Sequence, residues 1–194
     1  MNKIILVSAT PLEHGGLREL HGLPIFQVGI GKINAASRLT EILWNEEPDV
    51  VINFGSCGNL KNHKVGEIIE VGEVYNNIDV RPFAEYGCTP ESDLCEIKLS
   101  NSGIKCFTTD QIYDNTRTDY AQKYLEMIDK CDIVEMECYA LAQVCKERDI
   151  LFKSYKWVSD DGDIHNWEEN AAIGFENFKK KLYEDFFMDS KYKN

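Results

Sequence analysis

The run at 49–54 (DVVINF) constrains the fold most, because it is apolar almost throughout and too short for a helix. Alternate residues of a strand point to opposite faces, so a strand apolar on both faces must be covered on both. Residues 3–9 (KIILVSA) and 24–30 (PIFQVGI) read as strands of the same kind, and Gly55 and Gly58 are expected to end the 49–54 strand. Between them, 33–44 has helical spacing that puts Ile33, Ala36, Leu39 and Leu43 on one face. Further along, 67–80 reads as one long extended segment, 93–98 and 104–108 as shorter strands, and 118–129 as a helix. A strand at 132–136 precedes a helix at 138–147 that turns Cys138, Leu141 and Cys145 inward, and 151–158 is the last strand. The clearest helix carries Ala171, Phe175, Phe178, Leu182 and Phe186 on one stripe, and the tail KYKN is expected to fray. Strand and helix alternate without a linker or repeat, so the class is α/β and the expectation is a single domain over 1–194.

Composition narrows the function. A net charge of −12 repels nucleic-acid backbones and anionic membranes, so neither a nucleic acid polymer nor a membrane is an expected partner. No apolar run approaches the ~20 residues that span a bilayer. The first seven residues lack the longer apolar core of a secretory leader and read as a buried strand. The seven cysteines are odd in number, form no C-x-x-C pair and lie partly in apolar segments. They are expected to be free thiols in a reduced, cytoplasmic compartment and not a disulfide framework. His14, His21, His63 and His165 lie apart, without metal-ligand spacing, so no catalytic metal is expected.

Two phosphate motifs fail. A P-loop ending at Gly31-Lys32 would need glycine where Phe26 stands and a hydroxyl where Ile33 stands, and a dinucleotide fingerprint would need glycine at Asn34. What survives is a glycine turn at a helix start, able to aim backbone N–H groups at a ligand. Gly55-Ser56-Cys57-Gly58 is one residue short of a G-x-S-x-G nucleophile elbow, and no histidine presents itself as a base.

Four other pieces occur in order: Ser8-Ala9-Thr10-Pro11-Leu12-Glu13; Gly29-Ile30-Gly31-Lys32-Ile33-Asn34; Asn53-Phe54-Gly55-Ser56-Cys57-Gly58; and Val134-Glu135-Met136-Glu137-Cys138, followed by Val158-Ser159-Asp160. Together they resemble the nucleoside phosphorylase superfamily, most closely its hydrolytic branch, the methylthioadenosine/S-adenosylhomocysteine nucleosidases. The resemblance runs through roughly residues 3–185. It implies a three-layer αβα sandwich with a mixed, partly barrel-like central sheet, no cofactor, and assembly as a homodimer or larger oligomer.

The resemblance also implies roles. Asp160 corresponds to the acid that protonates or hydrogen-bonds the purine leaving group, which needs a carboxyl of raised pKa; a turn cap is its bland alternative, and Asp161 and Asp163 stand close by. Glu13 corresponds to the carboxylate that activates the attacking water, although it would serve equally as an acidic residue in a first helical turn. Glu137 corresponds to the residue that accepts hydrogen bonds from the ribose hydroxyls, with Met136 packed on the sugar. Glu135, two residues back on an extended segment, is expected to share its face and to bind substrate with it. Ser56 would bond the water or Glu13, or serve turn geometry alone. The base would stack near Ile112 and Tyr113, where the aromatic stands one position later than the family places it. Asn59 and Gly162 also depart from the pattern, and the chain is short between 80 and 132.

Phosphorylases of the superfamily hold phosphate with an arginine in the loop after the first strand. Here that loop offers Glu13, an anion, which favours hydrolysis; a phosphate-dependent phosphorylase and a catalytically silent nucleoside-binding protein are the alternatives. Arg81 lies near where the family closes its 5′ pocket and is a candidate to meet an acidic substrate group, against the plainer reading of a surface arginine.

Overall fold

The computed structural model describes residues 2–90, 95–163 and 167–188. His165 and the KYKN tail lie outside the described residues. In chain order the elements are β1 (Ile4–Ser8), a 3-10 turn (Pro11–Glu13), β2 (Glu19–Leu20), β3 (Leu23–Gln27), α1 (Lys32–Glu46), β4 (Val50–Asn59), β5 (Ile68–Glu70), β6 (Glu73–Asn76), β7 (Glu96–Lys98) and β8 (Lys105–Thr108). They continue with α2 (Gln122–Lys130), β9 (Ile133–Glu135), α3 (Cys138–Lys146), β10 (Leu151–Asp160), α4 (Trp167–Tyr183) and a π-turn (Glu184–Met188).

All ten strands join one mixed sheet, ordered β2-β3-β1-β4-β9-β8-β6-β7, with β10 pairing both β4 and β5. The apolar strands are covered on both faces, as their sequence demands. Ile5, Val7 and Val51 pack with Leu39 and Leu43 of α1 and Leu141 and Cys145 of α3 on one side. Their neighbours Leu6, Ile52 and Phe54 pack with Phe175, Phe178 and Leu182 of α4 on the other, where Phe54 and Phe178 stack at 4.6 Å. The result is the expected three-layer α/β arrangement with a mixed central sheet, and the predicted α4 stripe is buried along its whole length.

Four local expectations are corrected. The β4 strand does not stop at Gly55 but runs through both glycines to Asn59, because the glycines serve close approach and not a turn. A Cβ on Gly55 would lie 2.6 Å from Glu13 Oε1, and one on Gly58 would lie 3.0 Å from Val134. The buried face of α1 is Ala35, Leu39, Ile42 and Leu43, and Ile33 in the first turn is 83% exposed. The extended segment 67–80 divides at Gly72, where a Cβ would meet Ser102 and Gly103 within 3 Å. Its halves go to different partners, β5 to β10 and β6 to β8. Finally, the cysteines are not all free: Cys88 and Cys95 form a disulfide, whereas Cys57, Cys106, Cys131, Cys138 and Cys145 are buried thiols. An odd count does not forbid one short-range pair, and the spacing of seven carries no recognisable signature.

The sheet opens where the site lies. β4 pairs in parallel with β1 as far as Asn53, and the same strand takes up β9, antiparallel, only at Gly58. On its other side β4 stays paired with β10 throughout. Residues 54–57 therefore border a gap between β1 and β9, and the turn after β1 drops Glu13 into it. Ligands of open α/β sheets gather at such carboxyl ends, where neighbouring strands diverge.

Candidate active site

The gap opens into a cavity of about 330 Å³. Its walls bring together Glu13, Ser56, Ile112, Tyr113, Glu135, Met136, Glu137 and Asp160, eight of the nine residues singled out from the sequence. Arg81 is not among them. Its guanidinium grips Asp79, with Nε to Oδ1 at 2.8 Å and Nη2 to Oδ2 at 2.6 Å, and both side chains are exposed.

Glu13 is buried at the end of its 3-10 turn and is held by four donors. Oε2 accepts from the backbone N–H groups of Ala9 (2.9 Å) and Thr10 (3.0 Å). Oε1 accepts from Ser56 N–H (3.0 Å) and the Ser56 hydroxyl (3.2 Å). The gap in the sheet supplies the Ser56 N–H, and the missing side chain at Gly55 supplies the room. Ser56 Oγ in turn accepts from Trp167 Nε1 at 2.9 Å. The neighbouring Cys57 thiol is buried, donates to the Trp157 carbonyl at 3.4 Å, and has its pKa pushed far up by desolvation, which disfavours the thiolate.

Glu135 and Glu137 are two residues apart and have different surroundings. Glu135, in β9, meets Lys156 Nζ at 2.9 Å and accepts from Thr108 Oγ1 (2.5 Å), Glu137 N (3.0 Å) and Cys138 N (2.8 Å). Burial pushes its carboxyl upward, but the Lys156 ammonium and the Thr108 hydroxyl outweigh that and hold it below its ordinary value. The same pairing lifts Lys156 against its own burial. Glu137, at the N-cap of α3, accepts one bond, from Gly31 N–H at 2.9 Å. Desolvation, then repulsion from Glu135, push it up to about 8. The glycine turn thus aims its N–H groups at the protein's own carboxylates, since Lys32 N–H likewise reaches Asp110 Oδ1 at 2.8 Å. Gly31 is needed there because its φ is +87° and a Cβ would stand 3.2 Å from Asp110.

Asp160 ends β10 and lines the same cavity. Its pKa is raised by burial, against two donors, Ser159 Oγ at 2.7 Å and Gly162 N–H at 3.0 Å. A carboxyl in that state can carry a proton to a leaving group. The cap-like bond to Gly162 coexists with exposure to the cavity. Asp161 and Asp163 do not line it. Tyr113 lies beneath the Asp160 loop, where a Cβ on Gly162 would come 3.0 Å from the Tyr113 ring. That contact accounts for the glycine departing from the family pattern.

Two participants escaped the sequence reading. Lys156 is 1% exposed in a strand whose alternation suggested nothing unusual, and only the pairing of β4 with both β10 and β9 brings it to Glu135. Trp167 was hidden in a segment whose helical stripe begins four residues later. A second lysine, set between Tyr155 and Trp157, was the one available signal for the first; the second had none. Among the described residues, no group of three or more His, Cys, Asp or Glu could hold a metal ion, and no helix is long and apolar enough to cross a membrane.

Comparison with known proteins agrees with this geometry. The family model described as "Phosphorylase superfamily" matches residues 19–184. A 5′-methylthioadenosine/S-adenosylhomocysteine nucleosidase of Exiguobacterium sp. is 32% identical over 175 residues, covering 79% of this chain and 72% of the relative. One from Staphylococcus aureus is 28% identical and covers 93% of this chain and 86% of its own. Among solved structures, the nucleosidase of Neisseria meningitidis in complex with methylthio-immucillin-A superposes with a TM-score of 0.79 at 23% identity, covering 95% of this chain and 98% of that one. The futalosine hydrolase of Helicobacter pylori superposes at 0.77 with 19% identity, covering 94% and 98%. The order of the motifs, the gap in the sheet and these matches agree: the chain belongs to the phosphorylase superfamily, alongside its methylthioadenosine/S-adenosylhomocysteine nucleosidases.

Proposed function

We propose that this protein is an N-glycosyl hydrolase that releases the free base from a 5′-substituted purine nucleoside through an oxocarbenium-like transition state. The observation that carries this reading is the pair of carboxyls lining one cavity, Glu13 buried and held by donors and Asp160 half-buried and raised by desolvation. Cleaving a ribosyl–base bond needs an acid on the base side and a carboxylate that guides water to the sugar on the other. Asp160 takes the first role and Glu13 the second. Glu137, short of partners, receives the ribose hydroxyls, whose donors replace the cation it lacks. Met136 packs on the sugar, and Ile112 and Tyr113 flank the base. Glu135 forms the floor and contacts Glu137 instead of substrate.

Hydrolysis is favoured over phosphorolysis because the described cavity lining contains neither Lys nor Arg, and a phosphate would face Glu13. The buried Lys156 is occupied by Glu135. The protein is read further as one domain acting in the cytoplasm as a homodimer.

The test is a panel of methylthioadenosine, S-adenosylhomocysteine, adenosine, inosine and a 5′-acidic nucleoside, assayed for free base with and without phosphate. Base release independent of phosphate is expected. Strict dependence on phosphate would replace the reading with phosphorolysis, and binding without release under either condition would replace it with a silent binding protein. Sedimentation of the purified chain checks the dimer.

A further inference from the structure

The indole of Trp167 lines the cavity, and its polar edge has a use that the chemistry above does not require. Nε1 lies 2.9 Å from Ser56 Oγ. An indole N–H only donates, whereas a hydroxyl has one proton and two acceptor sites. Ser56 Oγ must therefore be the acceptor in this contact, and its single proton is left to point elsewhere. The partner within reach is Glu13 Oε1 at 3.2 Å. The relay runs one way, from indole to hydroxyl to carboxylate.

The count of donors on Glu13 shows why that direction matters. A carboxylate offers about four acceptor sites, and Glu13 receives Ala9 N–H, Thr10 N–H, Ser56 N–H and the Ser56 hydroxyl. Three of these donors are backbone groups fixed by the turn and by β4. The fourth is a rotor, and it makes the longest contact of the set. A water that is to lose a proton to Glu13 must take the place of a donor, and the hydroxyl proton is the one free to swing away. While it does so, the indole keeps the Ser56 oxygen in place beside the water.

We propose that Trp167 is a positioning residue: its indole N–H pins the Ser56 hydroxyl oxygen and makes the Ser56 proton the exchangeable donor on the Glu13 carboxylate. The proposal rests on the reading of Glu13 as the water-guiding group. A phenylalanine would fill the same wall of the cavity without pinning anything, so the wall and the relay can be separated.

Trp167→Phe is the decisive variant. Loss of one hydrogen bond that acts in the transition state is expected to lower kcat about fivefold while KM stays within about twofold. Trp167→Ala, which also removes the wall, is expected to raise KM. Because the indole acts through the hydroxyl, Trp167→Phe added to Ser56→Ala is expected to slow the enzyme no further than Ser56→Ala alone. An unchanged kcat in Trp167→Phe, or a full further fivefold loss in the double variant, overturns the relay. A second readout does not depend on turnover. The ¹⁵N indole resonance of Trp167, assigned by its disappearance in Trp167→Phe, is expected to shift and to exchange faster with solvent in Ser56→Ala. An unmoved resonance overturns the pinning even in an active enzyme. Wild-type protein that releases no base from any nucleoside overturns the functional reading and the catalytic half of this one, and the resonance still decides the hydrogen bond.

Discussion

Two buried glutamates line the cavity, Glu135 over Lys156 (the floor) and Glu137 beside Gly31 (the mouth), and they differ in what was built around them. At the floor, Glu135 has a cation at 2.9 Å and three further donors. At the mouth, Glu137 has one backbone N–H and the repulsion of its neighbour. Both desolvation costs are real, since a buried charge without a partner is expensive. At the floor the fold itself offsets the cost, which makes Glu135 part of the scaffold. At the mouth the cost stands until something else brings hydrogen bonds. A carboxyl whose partners are complete is structure; one whose partners are missing is a place for a ligand.

Breaking the floor is expected to have the largest effect. Lys156→Met leaves the buried Glu135 without its cation, an arrangement that costs about 3–5 kcal/mol. Chemical denaturation should show that loss, and adding Glu135→Gln should recover most of it. If Lys156→Met is as stable as wild type, the floor is not held by this pair. Next comes the acid across the cavity. Asp160→Asn is expected to lose roughly 10²–10³-fold in kcat with the fold intact, and turnover within a factor of two of wild type would remove Asp160 from the chemistry.

The mouth should respond in a way the floor does not. The Glu137 pKa stands near 8 against an ordinary value of 4.5, so the folded state holds its proton where the unfolded state has lost it. Its contribution is therefore fully present below 4.5 and is lost as pH rises toward 8. Glu137→Gln removes that dependence. Its Tm relative to wild type is expected to rise by roughly ten degrees (about 3–4 kcal/mol) between pH 5 and pH 8, while KM for the nucleoside increases. A pH-independent difference in Tm would show that Glu137 is not strained as described. The smallest effect is expected outside the cavity: Arg81→Ala should leave the ranking of charged and neutral nucleosides unchanged, because its guanidinium is already spent on Asp79. A changed ranking would bring Arg81 back toward the substrate.

Much of this was legible before any coordinate. Apolar runs in 3–9 and 49–54, too short for helices and apolar on both faces, demanded a doubly covered sheet, and Phe175, Phe178 and Leu182 named one of its covers. The order Glu13, Glu137, Asp160 marked the cavity because each sits where a strand hands over to a turn or helix, and Ser56 joins them from inside β4. Periodicity erred where space and not pattern decides. Gly55 and Gly58 look like strand breakers, yet they lie inside β4 to admit Glu13 and Val134. Ile33 fits the helical stripe, yet it stands in the exposed first turn of α1.

The amino-acid sequence by itself determined the class of fold, the covered strands and the carboxyl groups that meet at their ends, since these follow from periodicity and from the order of motifs along one chain. Only the tertiary structure decided which carboxyl group is scaffold and which awaits a ligand. Partners such as Lys156 for Glu135, Gly31 for Glu137 and Trp167 for Ser56 lie 21 to 111 residues away in the chain. Charge states in a buried site depend on the few ångströms around each group, and no local pattern records what the sheet brings there.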